Sequence, residues 1–286
     1  MDGILASNDY LDSRQFYIAV RRLADSLGFG GDRSSALGQG LEYVQSRLYA
    51  PGDPVKSIDW RVTARTRKFH VKEYEAPRRL PAYLLVDTSA SMTVRSGKIS
   101  KYETAIFIAG GLALACLDRI SPVGVLGVGS STLHVRPSLS RDVVLGWLHR
   151  MRSYQCDEPT KLGERVRQLA PQLAERTLLI VLSDLHEPTA LPVLKSLAQR
   201  HDCIVLQFRD PAERGLTGAG WMRVREAETG RTVVSRGGVP WSNQEAVADE
   251  LRRGAVDYLL IDTDQPFVPR LRHFFKSRGQ LGQGTR

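Results

Sequence analysis

The chain has 286 residues, of which 25% are charged and 42% hydrophobic, with a formal net charge of +9. That length suffices for a substantial core, and no apolar run approaches the ~20 residues that cross a bilayer, so no membrane span is expected. Cys116, Cys156 and Cys203 are odd in number and lack C-x-x-C spacing, against a disulfide framework or zinc site.

In chain order, Met1-Asp2-Gly3 lacks the basic start of a secretory signal, and a cytoplasmic address is expected. Leu11, Phe16, Ile18, Ala19, Leu23 and Leu27 mark an amphipathic helix within residues 4–27, stopped by Gly28. Alternating stretches at 43–49 and 69–74 predict paired strands around Pro51-Gly52-Asp53 and a short helical turn at 58–64. Residues 1–80 are thus expected to form a helix plus a small basic α+β module. Trp60 and Trp241 are expected to fill cores. Arg65, near Asp59 and Trp60, either locks that module to the main domain or marks a docking face.

From Ala82 onward strand and helix patterns alternate, which predicts a doubly wound, mostly parallel six-stranded sheet over residues 81–278, followed by a flexible tail at 279–286. The strands are expected at 82–86, 123–128, 132–136, 178–183, 203–208 and 258–261. Helices are expected at 101–118, 141–151, 162–175, 190–199, 243–254 and 268–277. A hairpin at 221–224 and 231–235 interrupts the alternation.

Positive charge concentrates between Arg61 and Arg79 and between Arg270 and Arg286. Neither stretch carries a helix-turn-helix, zinc-finger or RNP pattern, so nucleic acid is not the expected partner and remains the alternative reading. A solvated or partner-facing basic surface ranks ahead of it.

The chemistry concentrates where the first main strand ends. Asp87-Thr88-Ser89-Ala90-Ser91 puts one carboxylate and two hydroxyls on a tight turn after an apolar strand. Such hard oxygens suit Mg²⁺, or Mn²⁺, with a coordination position left for a ligand from outside. Downstream, Thr160 lies in a polar loop and Asp184 ends the strand over 178–183. In open α/β sheets ligands bind beyond the carboxyl ends of strands where strand order reverses, which is where Asp87 and Asp184 fall.

This pattern resembles the von Willebrand factor A domain, whose metal-ion-dependent adhesion site (MIDAS) combines D-x-S-x-S, a later threonine and a later aspartate. The resemblance implies Asp87, Ser89, Ser91, Thr160 and Asp184 as metal-site residues and a partner Asp or Glu as the completing ligand. A second resemblance lies in the segment from Gly40 to Glu75, with Arg47, Tyr49, Pro51-Gly52-Asp53, Ile58-Asp59-Trp60, Ala64-Arg65 and Glu73. With Asp210-Pro211-Ala212-Glu213 and Glu228-Thr229-Gly230, it is similar to the DUF58 family, which implies association with a MoxR-type AAA+ ATPase. The function so implied is a metal-dependent adaptor or co-chaperone.

An enzyme is not expected. Haloacid-dehalogenase-type phosphotransfer needs a second aspartate where Ser89 stands, and no P-loop or G-x-S-x-G is present. A metal-dependent phosphohydrolase is the lesser alternative, with His186 the nearby base candidate; a surface histidine tuned by Asp184 or Glu187 is the expected state.

Overall fold

The computed structural model describes residues 13–27, 42–75, 80–130, 133–215, 221–225, 232–236 and 244–281. Two compact units emerge: residues 1–30 with 80–286, and residues 31–79. The N-terminal helix α1 (Ser13–Leu27) therefore groups with the main sheet, whereas it was expected beside the small module. The reason is its apolar stripe, since Phe16, Val20, Leu23 and Leu27 are buried in the main core.

The smaller unit pairs β1 (Glu42–Leu48) with β2 (His70–Glu75) in antiparallel register, and carries the seven-residue helix α2 (Trp60–Thr66). Asp53 is held bidentately by Arg47 at 2.7 Å for both bonds and accepts from the Ala50 amide. This pins the turn at Gly52, whose φ of +105° is readily adopted only without a Cβ. Asp59 caps α2 by accepting from the Arg61 and Val62 amides, and also accepts from the Ser46 hydroxyl at 2.7 Å. Asp59 is thereby committed to the cap, and Arg65 is exposed, so no buried Asp59–Arg65 pair forms. The core expectation for Trp60 is corrected: it is 63% exposed, because the cap places it on the first turn of a helix with no buried residue. Trp241 lies outside the described residues.

In the larger unit the strands β3 (Ala82–Val86), β4 (Val123–Gly127), β5 (His134–Ser138), β6 (Leu178–Ser183), β7 (Asp202–Arg209) and β10 (Asp257–Asp262) form one sheet in the order β10-β7-β6-β3-β4-β5. All neighbours are parallel except β5, antiparallel on one edge. The six expected strands are present, and β8 (Trp221–Arg225) and β9 (Thr232–Arg236) form the separate expected hairpin. β3 is buried along its length, as a central strand covered on both faces must be.

On one face α1, α3 (Lys101–Asp118), α4 (Arg141–Arg152) and α8 (Val268–Leu281) pack through Phe16, Ile106, Trp147 and Leu271. On the other, α5 (Leu162–Leu169), α6 (Ala190–Ala198) and α7 (Gln244–Arg253) contribute Leu162, Leu191 and Leu251. The helix expected over 162–175 is shorter than predicted, because Pro171 turns the chain into a 3-10 segment at Ala170–Gln172. The tail is helical as far as Leu281, where Arg278 pairs with Asp202 and Asp257.

Helix α1 reaches α3 at two glycines. A Cβ on Gly111 would stand 2.6 Å from Leu23 Cδ2 and 2.7 Å from its Cγ. Gly111→Ala is expected to lower stability by ~1–3 kcal/mol through overpacking, read as a lower urea midpoint, whereas Gly146→Ala, where a Cβ meets nothing within 4 Å, leaves the midpoint in place or raises it.

Candidate metal centre

Strand order reverses at β3: the chain crosses from β3 to β4 on one side and later returns to build β6, β7 and β10 on the other. Because Val86 is level with Leu182, the residues following β3 and β6 emerge side by side, and the Asp87 amide donates to Leu182 O at 2.9 Å. Asp87 Oδ1 accepts from the Ser89 amide at 3.0 Å, and Oδ2 accepts a short bond from the Ser183 hydroxyl. Ser89 and Ser91 hydroxyls are 3.0 Å apart. Asp87, Ser89, Ser91 and Asp184 are all buried. Four of the five sequence-expected residues thus meet at one end of the sheet.

The fifth, Thr160, is half-buried. It follows Glu158, whose backbone bridges to Ser89 and accepts from the Ala90 amide at 2.9 Å. The Glu158 carboxylate accepts from the hydroxyls of Thr88 at 2.6 Å and Tyr154 at 3.0 Å. Gly129 makes room for this contact, since a Cβ there would lie 2.1 Å from Glu158 Oε1 and 2.6 Å from Thr88 Oγ1. The segment bearing Thr160 is therefore anchored on the acidic loop.

Sequence reasoning missed Lys101. Its side chain is fully buried, and its ammonium donates to Asp184 Oδ2 at 2.7 Å and, at very short range, to Glu213 Oε1. A lysine on the first turn of a helix opposes the helix dipole, so its place there is maintained by the two carboxylates. Ser100 and Glu103 cap the same turn reciprocally. Glu213 is in turn fixed by a second capping box, in which its other oxygen accepts from the Asp210 amide and Asp210 accepts from the Ala212 amide. Asp210 also binds Ser96 through amide and hydroxyl, which ties the loop before α3 to the same turn. The D-x-x-E spacing of Asp210-Pro211-Ala212-Glu213 was the signal available in the sequence.

His186 is one-third exposed, with Nδ1 at 3.6 Å from Asp184 Oδ2 and Nε2 at 3.9 Å from Glu213 Oε1. It faces Glu213 as well as Asp184, while Glu187 turns to Thr189 and the Gly163 amide. Asp184, His186 and Glu213 offer ligand atoms all within 4.8 Å of one another and could hold a metal ion. The two carboxylate oxygens nearest His186 are, however, the same ones that Lys101 contacts. An ion there would compete with the ammonium.

Burial would push the Lys101 ammonium down, but the charges of Asp184 and Glu213 outweigh it and hold its pKa above the ordinary value. For Asp184, burial acts upward and Lys101 outweighs it, so the carboxyl stays ionised below its ordinary range. Among the described residues no cation pairs with Asp87: burial, reinforced by the charge of Asp184, pushes it from 3.8 up to about 7. With all groups ionised, Asp87, Asp184 and Glu213 against Lys101 leave two uncompensated negative charges in a buried cluster. Among the described residues, Asp184 Oδ1 is buried without a hydrogen-bond partner, while the Ser91 hydroxyl is near enough to favour the carboxylate. Buried charges are ordinarily paired, and a dication is one species that would supply the missing balance.

Leu185, next to Asp184, has a φ of +56°, a left-handed conformation uncommon for a branched residue. Its amide donates to Ser183 Oγ at 3.0 Å, and the same hydroxyl donates to Asp87. The turn that presents Asp184 is therefore held by the hydrogen bond that orients Asp87. Gln207 supports it from β7 by donating to Asp184 O at 2.8 Å, and is itself fixed by the Tyr258 hydroxyl.

Two outcomes follow from this electrostatic arrangement. Lys101→Met leaves Asp184 and Glu213 buried without their cation and is expected to cost ~3–5 kcal/mol in urea unfolding. In metal-free buffer, the folded state holds a proton on Asp87 that the unfolded chain has released between pH 3.8 and about 7. Stability therefore falls as pH rises through that window. Asp87→Asn flattens this slope and raises the thermal midpoint at pH 8 by a few degrees, ~1–2 kcal/mol.

Comparison with known proteins places the chain among relatives. It is 26% identical over 247 residues to the uncharacterized protein Rv1480 of Mycobacterium tuberculosis, covering 85% of this chain and 76% of that protein. The uncharacterized protein Mb1516 of Mycobacterium bovis matches equally. Among solved structures, an uncharacterized membrane spanning protein of Vibrio fischeri aligns with a TM-score of 0.23 at 14% identity, over 70% of this chain and 98% of that one. The RO (RSR) protein of Deinococcus radiodurans aligns with a TM-score of 0.34 at 15% identity, over 96% of this chain and 50% of that one. At such scores neither likeness bears on function. Among the described residues no helix is long and apolar enough to cross a membrane. Residues 45–238, more than half of the chain, match the family described as a protein of unknown function, DUF58, and the chain belongs to that family.

Proposed function

We propose that this protein is a metal-dependent protein-binding module whose larger unit is a von Willebrand factor A-type domain. In this reading Asp87, Ser89, Ser91, Thr160 and Asp184 hold Mg²⁺ or Mn²⁺ in a MIDAS arrangement, the serines and the threonine directly or through water. The observation that carries it is the meeting of the Asp87, Ser89, Ser91 and Asp184 oxygens where strand order reverses, in a buried cluster where three carboxyls face one ammonium and Asp184 Oδ1 has no hydrogen-bond partner. The donors are hard oxygens, which fit Mg²⁺ or Mn²⁺ and fit softer metals poorly.

Lys101 supports binding over reaction. It consumes Asp184 Oδ2 and Glu213 Oε1, so the carboxylates that a two-metal hydrolase would spend on a second ion are occupied by an internal ammonium. His186 sits beside those same oxygens, and among the described residues it forms no hydrogen bond to Ser89 or Ser91. A partner's Asp or Glu would complete the metal's coordination. By family resemblance that partner is a MoxR-type AAA+ ATPase, and the protein acts in the cytoplasm as its adaptor or co-chaperone.

Calorimetric titration of Mg²⁺ or Mn²⁺ into EDTA-treated protein is expected to show one site, lost in Asp87→Asn. At about a hundred-fold excess over Kd the ion should add ~2.7 kcal/mol of stability. Affinity should weaken as pH falls below about 7, because Asp87 takes a proton that the ion must displace. Capture of a purified MoxR-type ATPase from the same organism should require the ion. Capture unchanged by EDTA and by Asp87→Asn in a folded protein contradicts the proposal.

A further inference from the structure

A second surface, in the smaller unit, has no part in the metal centre. Trp60, Phe69 and Tyr49 are 63%, 58% and 38% exposed. The Tyr49 amide donates to Phe69 O at 2.9 Å, so these residues oppose each other just beyond the β1–β2 ladder, and opposed residues carry their side chains on one face. The Asp59 amide donates to His70 O at 2.7 Å, which brings the start of α2, and Trp60 with it, to the residue next to Phe69. Among the described residues none of the three rings packs on another ring.

Arg61, Arg65, Arg67 and Lys68 lie between Trp60 and Phe69 in the chain and are all exposed. Among the described residues none of them forms an ion pair. Two acids of this unit are already committed, Asp53 to Arg47 and Asp59 to the cap of α2. The segment from Trp60 to Phe69 therefore offers exposed cations flanked by exposed planar rings, and among the described residues no acid pairs with those cations. Charge complementarity calls for a polyanion. The rings narrow the class, because a polymer that pairs each phosphate with an accessible aromatic face is an unpaired nucleic-acid strand, whereas a duplex hides its base faces by stacking.

We propose that this face binds single-stranded nucleic acid, with Trp60, Phe69 and Tyr49 stacking on bases and Arg61, Arg65, Arg67 and Lys68 contacting phosphates. Binding here is independent of the metal centre and is not affected by EDTA.

The test is fluorescence anisotropy of the full chain with labelled oligouridylate and oligothymidylate of about 20 nucleotides, longer than a single-fold site. Affinity should fall with salt at a log–log slope of about −3, given roughly −0.7 per phosphate contact on single strands. Trp60→Ala and Phe69→Ala should each weaken binding ~10-fold or more with the thermal midpoint unchanged. Arg65→Glu with Lys68→Glu should flatten the salt slope, and a blunt duplex of equal length should bind more weakly. No binding at low salt overturns the proposal. So does equal affinity in Trp60→Ala and Phe69→Ala, which would leave charge alone at work. Retention only by phosphatidylserine vesicles, or only by polyglutamate, also overturns it and assigns the face to a membrane or an acidic protein.

Discussion

The architecture of the candidate site depends on one buried ammonium. Lys101 neutralises Asp184 and Glu213 together, and in doing so joins the start of α3, the end of β6 and the turn after β7 at one point. Without it three carboxylates would share a buried volume, and a folded protein tolerates that only by protonating some of them. With it, Asp184 is held as an anion, and that anion adds to burial in raising the proton affinity of Asp87 at the end of the adjacent strand. The cluster can thus shed its surplus charge by taking up protons or, in the proposed function, a dication.

This constraint also explains why residues far apart in the sequence carry the DUF58 likeness. Asp210 and Glu213 form a capping box whose purpose is visible only in three dimensions: one end holds the loop at Ser96, the other holds Lys101. Arg47, Asp53 and Asp59 play a similar part in the smaller unit, where they pin a turn and cap a helix. The acids of the quoted signature that fall among these residues act on the backbone, while Trp60 and Arg65, beside them, face solvent.

Much of the main sheet was legible because its strands are continuous apolar runs bounded by turn residues, and because Asp87 and Asp184 each follow such a run directly. What stayed hidden depends on tertiary pairing. Lys101 reads as an ordinary first-turn lysine until α3 is laid across the ends of β3 and β6. Trp60 reads as core until the cap at Asp59 fixes a helix too short to bury it. Pro171 was visible, and its power to end α5 outweighed the apolar spacing around it. For α1, periodicity marked the buried stripe, but its destination rests on the close approach that Gly110 and Gly111 allow on α3.

The central claim is that a dication sits among Asp87, Ser89, Ser91 and Asp184 while Lys101 keeps its two carboxylates. Anomalous diffraction from crystals grown in Mn²⁺ tests it most directly. The account predicts one peak within coordination distance of Asp87 and Asp184 Oδ1, with the Lys101 ammonium still on Asp184 Oδ2 and Glu213. A peak between Asp184, His186 and Glu213 with Lys101 displaced, or no peak at this end of the sheet, would contradict it.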